Sequence, residues 1–185
     1  MTAVGATLGR MTRRAILLRA INVGGTAKLP MADLRALAEE LGATDVSTYI
    51  ASGNLLCTAP ASFDSALGAA ITERFGFTRE VISRTTAELE RSLAEHPFEV
   101  IEPKLSFVTF MVKPPSAAGI TKAETYATGD DLWRVVGRDP HIRHAVSAGQ
   151  PQMNVAGIMR SLGEPGTARN LSTVRKLIDL LEEKP

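Results

Sequence analysis

Residues 13–30 read RRAILLRAINVGGTAKLP, and the order of signals in this stretch sets the fold. Arg13–Asn22 is nearly continuously apolar, Arg19 excepted, which predicts a central strand covered on both faces. A glycine loop follows. Pro30 then opens a helix whose Met31, Leu34, Ala38 and Leu41 share one side and which Gly42 stops.

Val46–Thr58, VSTYIASGNLLCT, reads as two short strands joined by Ser52-Gly53, a tight-turn hairpin signal. The next helix starts near Ser62, carries Phe63, Leu67, Ile71 and Phe75 at helical spacing and closes at Gly76; Phe77–Arg84 supplies another strand. Strand, helix, strand, strand, helix, strand is the split βαβ arrangement called ferredoxin-like.

Beyond Arg84, Leu89 and Leu93 mark a connector helix that breaks at Pro97. The pattern then restarts. Leu105–Lys113 is strand-like, Ala117–Tyr126 weakly helical, LWRVVG and HIRHAV are strands around Arg138-Asp139-Pro140, and Met153–Leu162 is helical. TARNLSTVRKLIDLL ends in a helix with an apolar stripe of Leu171, Val174, Ile178 and Leu181, capped by Asn170 or Ser172. The fold class is therefore α+β: two ferredoxin-like (βαββαβ-type) halves in tandem with a C-terminal helix. The division runs as a loose tail over 1–12, a first half over 13–85, a connector over 86–104, a second, diverged half over 105–170 and a final helix over 171–185.

Composition narrows the function. The 185 residues are 44% hydrophobic, and 21 basic against 20 acidic residues leave a formal charge of +1, without the broad positive field of a non-specific nucleic-acid binder. Cys57 is the single cysteine, which excludes an internal disulfide and a Cys-rich zinc site and fits a reducing, cytoplasmic setting. The start lacks a secretory signal pattern, and no run approaches membrane-spanning length. Nothing calls for a cofactor.

In a ferredoxin-like unit the first two strands run parallel, so the loop leaving the first and the hairpin after the second emerge at one end of the sheet. The candidate ligand-binding set follows: Arg19, Asn22, Gly24, Gly25 and Lys28 from the loop, and Ser52, Gly53 and Asn54 from the hairpin. Two readings stand side by side. Paired glycines aim backbone N–H groups at an anion beside a helix N-terminus, with Lys28 adding charge. The plainer reading is that the pair turns the chain while Asn22 and Asn54 satisfy loop backbone, lone glycine pairs being common turn punctuation. The spacing is neither a P-loop nor a dinucleotide fingerprint. Alternation puts Ala15, Leu17, Arg19 and Ile21 on one face, which sets the Arg19 guanidinium at an apolar surface in need of acceptors.

LLRAINVGG, LPMADLRALAEELGATDVSTYIASGN and TARNLSTVRKL together resemble the bacterial domain-of-unknown-function family 1697 (DUF1697), whose members typically read R-G-I-N-V-G-G, Y-I-x-S-G-N and T-x-R-N-W-N-T-V-x-K-L. The matching positions are Arg19, Asn22, Gly24, Gly25, Ser52, Gly53, Asn54, Thr167, Arg169, Asn170, Thr173 and Lys176. The chain departs at Ala20, where glycine is usual, and at Leu171 and Ser172, where tryptophan and asparagine are usual. The resemblance implies paired ferredoxin-like units and supplies no reaction. TARN also reads physically on its own: Arg169, ahead of a helix N-terminus, serves as a cross-link between the halves or as an anion contact, and Asn170 as a helix cap, which adds both to the candidate set.

Other chemistry finds little footing. His141 and His144, three apart on an expected strand, point to opposite faces as solvated groups, with His96 remote. Cys57 reads as a packing residue, and the central strands lack the aromatics of an RNA-reading sheet. Small ferredoxin-like acylphosphatases use an arginine after the first strand and an asparagine near the third. Here Asn54 is suitably placed, while the charge comes from Lys28 and the strand's own Arg19. Three functions remain: a module binding a small anionic phosphate- or nucleotide-type ligand, a phosphoryl or acyl hydrolase, and an interaction or scaffolding unit, with homo-oligomers open to all three.

Overall fold

The computed structural model describes residues 10–183. Of the tail expected over 1–12, residues 1–9 lie outside that range, and Thr12 is already the first residue of a strand. The last two residues of the expected final helix, 184–185, lie outside it as well. The described chain is a mixed α+β protein with two four-stranded antiparallel sheets and six helices. It divides into two compact units, one running to Thr86 and taking in Leu181 onward, the other spanning Ala87–Leu180.

The first unit contains β1 (Thr12–Leu18), α1 (Met31–Glu40), β2 (Thr44–Tyr49), β3 (Asn54–Ala59), α2 (Phe63–Phe75) and β4 (Val81–Thr85), with sheet order β2-β3-β1-β4. β1 is central, antiparallel to both β3 and β4, and Ala15–Leu18 are fully buried, as its unbroken apolar run requires. Ile16 and Leu18 share a core with Leu55 and Cys57 of β3, Leu34, Leu37 and Ala38 of α1, and Phe63, Leu67 and Ile71 of α2. Each fully buried aliphatic or aromatic side chain contributes about 1.5–3 kcal/mol. Burial also pushes the Cys57 thiol up to about 11, which removes it as a nucleophile at neutral pH.

The second unit follows the boundary helix α3 (Thr86–Ala94) with β5 (Ser106–Met111), α4 (Ala117–Ala123), β6 (Leu132–Val136), β7 (Asp139–Arg143), α5 (Val155–Leu162), β8 (Gly166–Asn170) and α6 (Leu171–Glu182). Its sheet order, β6-β7-β5-β8, repeats that of the first. Met111, Ile142, Met153, Ile158 and Leu162 make its core, with Trp133, Val135 and Tyr126 at the margin.

Among the boundaries that differ from the sequence reading, three redraw a turn or a strand. The β2–β3 connection takes four residues, Ile50–Gly53, rather than Ser52-Gly53 alone. Asp139 and Pro140 belong to β7 rather than to a turn, because the Asp139 carboxylate accepts the Met111 N–H at 2.8 Å and ties the strand start to β5. Thr167–Asn170 is strand, not helix approach: β8 pairs with β5, and α6 starts at the next residue. Such a five-residue strand has too little apolar alternation to announce itself, and pairing with a buried neighbour overrides weak local preference.

Candidate functional site

β1 and β2 are both antiparallel to β3 and so run the same way. Their C-terminal ends, and the loops that leave them, meet at one end of the first sheet. Asn22 joins the two loops: its Nδ2 donates to Ala51 O at 2.8 Å and to Leu29 O at 2.9 Å, and its Oδ1 accepts from Leu29 N at 2.8 Å. Leu18 N donates to Gly53 O at 2.9 Å. Gly53 has φ +84°, and a Cβ there would lie 2.6 Å from Ile21 Cδ1 and 2.9 Å from Leu18 Cβ, so the two loops close over a site only glycine fits.

The glycine pair forms the tip of a small hairpin of its own. Gly24 and Gly25, with φ +63° and +76°, are the central residues of a turn closed by Thr26 N donating to Val23 O at 3.4 Å. Positive φ at both central residues is the type I′ requirement. Below the tip, Asn22 N donates to Ala27 O at 3.1 Å. Turn geometry therefore accounts for the glycines, while their surroundings stay open: a Cβ on either would meet nothing within 4 Å.

The other candidates sort by what already holds them. Arg19 is not set against an apolar face. β1 ends at Leu18, Ala20 takes φ +49°, and the alternation that would bury Arg19 stops there. Its exposed guanidinium instead pairs with Glu80 at 3.2 Å. Lys28 is exposed and has no partner among the described residues. Asn54 is fully buried, donating to Tyr49 O at 3.0 Å and to Ser52 Oγ at 3.3 Å, so its amide braces the hairpin from inside. In the second unit, Arg169 on β8 is buried and donates to Thr167 Oγ1 at 2.7 Å and Ala168 O at 2.8 Å; burial lowers its pKa to about 10. Asn170 caps α6, its Oδ1 accepting from Thr173 N at 2.8 Å.

Backbone strain gathers at the loop end. Five non-glycine residues among those described have positive φ, and Ala20, Asn22, Ala27 and Ile50 all lie in these two loops, the exception being Asp45. Ile50 at +52° is the costliest, because a β-branched side chain crowds its own carbonyl there. Two stability changes follow. Asn22→Ala removes all three amide contacts and places alanine at φ +55°, an expected loss of about 2 kcal/mol in urea denaturation. Ala20→Gly relieves the +49° strain and is expected to raise stability by ~0.5 kcal/mol, the gain being partly offset by the looser unfolded chain.

The second unit holds polar clusters that spacing did not disclose. His141 and His144 are both buried, not solvated. His141 Nδ1 lies 3.0 Å from His96 Nδ1, and burial, reinforced by His96, lowers its pKa to about 4. Asp131, also buried, accepts from Ala145 N and Gln152 N at 2.8 Å, from Met153 N at 3.1 Å and from His144 Nδ1 at 3.2 Å. Burial alone would raise the Asp131 carboxyl, but these donors outweigh it and hold it below its ordinary value of 3.8. An ionised carboxylate only accepts, so His144 carries its proton on Nδ1. No signal in the sequence links Asp131 to donors 13 to 22 residues away. Among the described residues no group of three His, Cys, Asp or Glu is placed to hold a metal ion, and no helix is long and apolar enough to cross a membrane.

Fold and loops define a class: a two-unit α+β protein that carries a pair of cross-tied, strained loops at one end of its first sheet. The chain belongs to the family described as "Protein of unknown function (DUF1697)", whose model matches residues 11–140. Arg169 and Asn170 lie beyond that match. Among solved structures it is similar to the conserved bacterial protein SP0830 from Streptococcus pneumoniae, at 22% identity and a TM-score of 0.73 over 94% of this chain and 100% of that one. That likeness concerns the fold. No curated protein matches the chain.

Proposed function

We propose that the chain is a cytoplasmic binding module made of two ferredoxin-like units, and that the loop end of the first unit takes a small anionic ligand of phosphate or nucleotide type. The strand orders β2-β3-β1-β4 and β6-β7-β5-β8 support the ferredoxin-like reading. The carrying observation for the site is the concentration of positive-φ residues in two loops that Asn22 locks together, since strain persists where surrounding structure enforces a particular surface. Lys28 and the open Gly24-Gly25 amides make the ligand contacts. Arg19 joins them by exchanging its exposed Glu80 partner, a pair worth little by itself. Asn22, Ser52, Gly53 and Asn54 shape the loops.

Geometry favours binding over hydrolysis. An acylphosphatase-like role asks Asn54 for an amide that Tyr49 O already accepts, on a fully buried side chain. A docking face on the last helix fares no better, because Leu171, Val174, Ile178 and Leu181 are all buried. The test is thermal melting with inorganic phosphate, pyrophosphate and ADP at constant ionic strength. A saturable rise in Tm that Lys28→Glu abolishes is expected; no rise with any of the three, or the same rise in Lys28→Glu, overturns the proposal.

A further inference from the structure

Among the described residues β6 is an edge strand, bonded to β7 alone. Edge strands present unpaired N–H and C=O groups, and proteins blunt them with bulges, charges or cover. The first unit follows that rule at β2, where the register breaks between Thr44 and Ser47 and Asp45 takes φ +53°. β6 differs: it pairs with β7 residue by residue from Leu132 to Val136 with no break, and four of its five residues are apolar.

Beside this edge lies a groove of about 570 Å³ whose lining includes Ile120, Tyr126, Trp133 and Val135 together with the charged Glu124 and Arg134. Trp133 and Val135 are only half buried although they border the core, and Leu132 is 39% exposed. Arg134 is exposed, and its side chain has no ion-pair or hydrogen-bond partner among the described residues. Arg134 stands opposite His141 in register, Trp133 opposite Ile142, so Arg134 and the pair Trp133 and Val135 lie on alternate faces of the strand, and the groove reaches around its edge to both.

We propose that β6 is a strand-addition site whose free edge and adjoining groove take an extended segment of a partner protein, with an acidic residue between two apolar ones. Main-chain hydrogen bonds along β6 give such a site its affinity and alternate side chains its specificity. The apolar pair covers Trp133 and Val135, and the central carboxylate meets Arg134. Glu124 repels a carboxylate on the groove side, which fixes the order apolar–acidic–apolar over its inverse. A second copy of this chain is the poorer occupant, because pairing β6 with itself about its midpoint sets Arg134 against Arg134.

Trp133 is the only tryptophan in the chain, so its fluorescence reports the groove directly. The probe is the peptide acetyl-Thr-Val-Glu-Val-Thr-amide, with acetyl-Thr-Glu-Val-Glu-Thr-amide and acetyl-Thr-Val-Lys-Val-Thr-amide as comparisons. A saturable blue shift is expected with the first peptide and at least about tenfold weaker binding of the second, ~1.4 kcal/mol. Arg134→Glu should reverse the preference between the Glu and Lys peptides, and Arg134→Met should weaken the Glu peptide without gaining the Lys one; unchanged melting of both variants shows that the fold is kept. No shift with the first peptide, equal binding of the inverted one, or indifference to Arg134→Glu overturns the proposal. Concentration-dependent self-association without peptide that Arg134→Glu leaves intact overturns the choice of occupant.

Discussion

Replacing Asp131 with alanine is expected to lower stability by about 4 kcal/mol, read from the urea midpoint of unfolding, because three backbone N–H groups and His144 lose one acceptor together. Asp131→Asn keeps one carbonyl oxygen and should recover part of that loss. The same carboxylate makes a pH prediction. Its folded pKa lies below 3.8, so in the acid range the unfolded chain binds this proton first. The stabilisation is complete at neutral pH and drains away as the pH falls from the ordinary carboxylate value through the lower folded one. Loss of the Ala145–Met153 loop's amide protection in hydrogen exchange, with the β1 amides still protected, is the local signature expected of the alanine variant.

Stability should begin to fall at a milder pH for a second reason. His141 titrates at about 4 in the folded protein against 6.5 for an ordinary imidazole, because burial disfavours the cation and His96 opposes a second charge. Between those values the unfolded chain binds more protons, so the contribution is whole above about pH 6.5 and shrinks as pH falls toward 4. The expected loss over that interval is roughly 3 kcal/mol, at about 1.4 kcal/mol per pKa unit. His141→Phe removes the titrating group while keeping a ring of similar shape. Its stability should decline less than the wild type's between about pH 7 and pH 5, the remaining slope coming from His96, whose imidazole burial also holds below its ordinary value. Parallel slopes for the two proteins would show that His141 carries no proton linkage.

The first unit was legible because its signals are local. An unbroken apolar run gave the central strand, Pro30 and Gly42 bracketed α1, and Gly76 closed α2. The adjacency of the two loops followed from strand direction alone. Arg19 escaped because alternation is a property of extended backbone, and one residue in the left-handed region ended it. The second unit hid more. Its stabilising polar groups meet across long separations, His96 with His141 over 45 residues and Asp131 with Met153 over 22, and no periodic pattern encodes such pairs. β8 was invisible for the opposite reason: TARN is too short to carry a period, and only β5 beside it makes it a strand.

Arg13 Nε donates to Leu181 O at 3.0 Å, a bond spanning 168 residues, and Leu181 belongs to the same compact unit as β1. On a ribosome adding roughly 5–20 residues per second, β1 waits on the order of ten to thirty seconds for this carbonyl. The first unit, whose core residues all precede Thr86, thus gains this one contact only once the second has been synthesised, so its last hydrogen bond to α6 forms after the rest of its framework is already on hand.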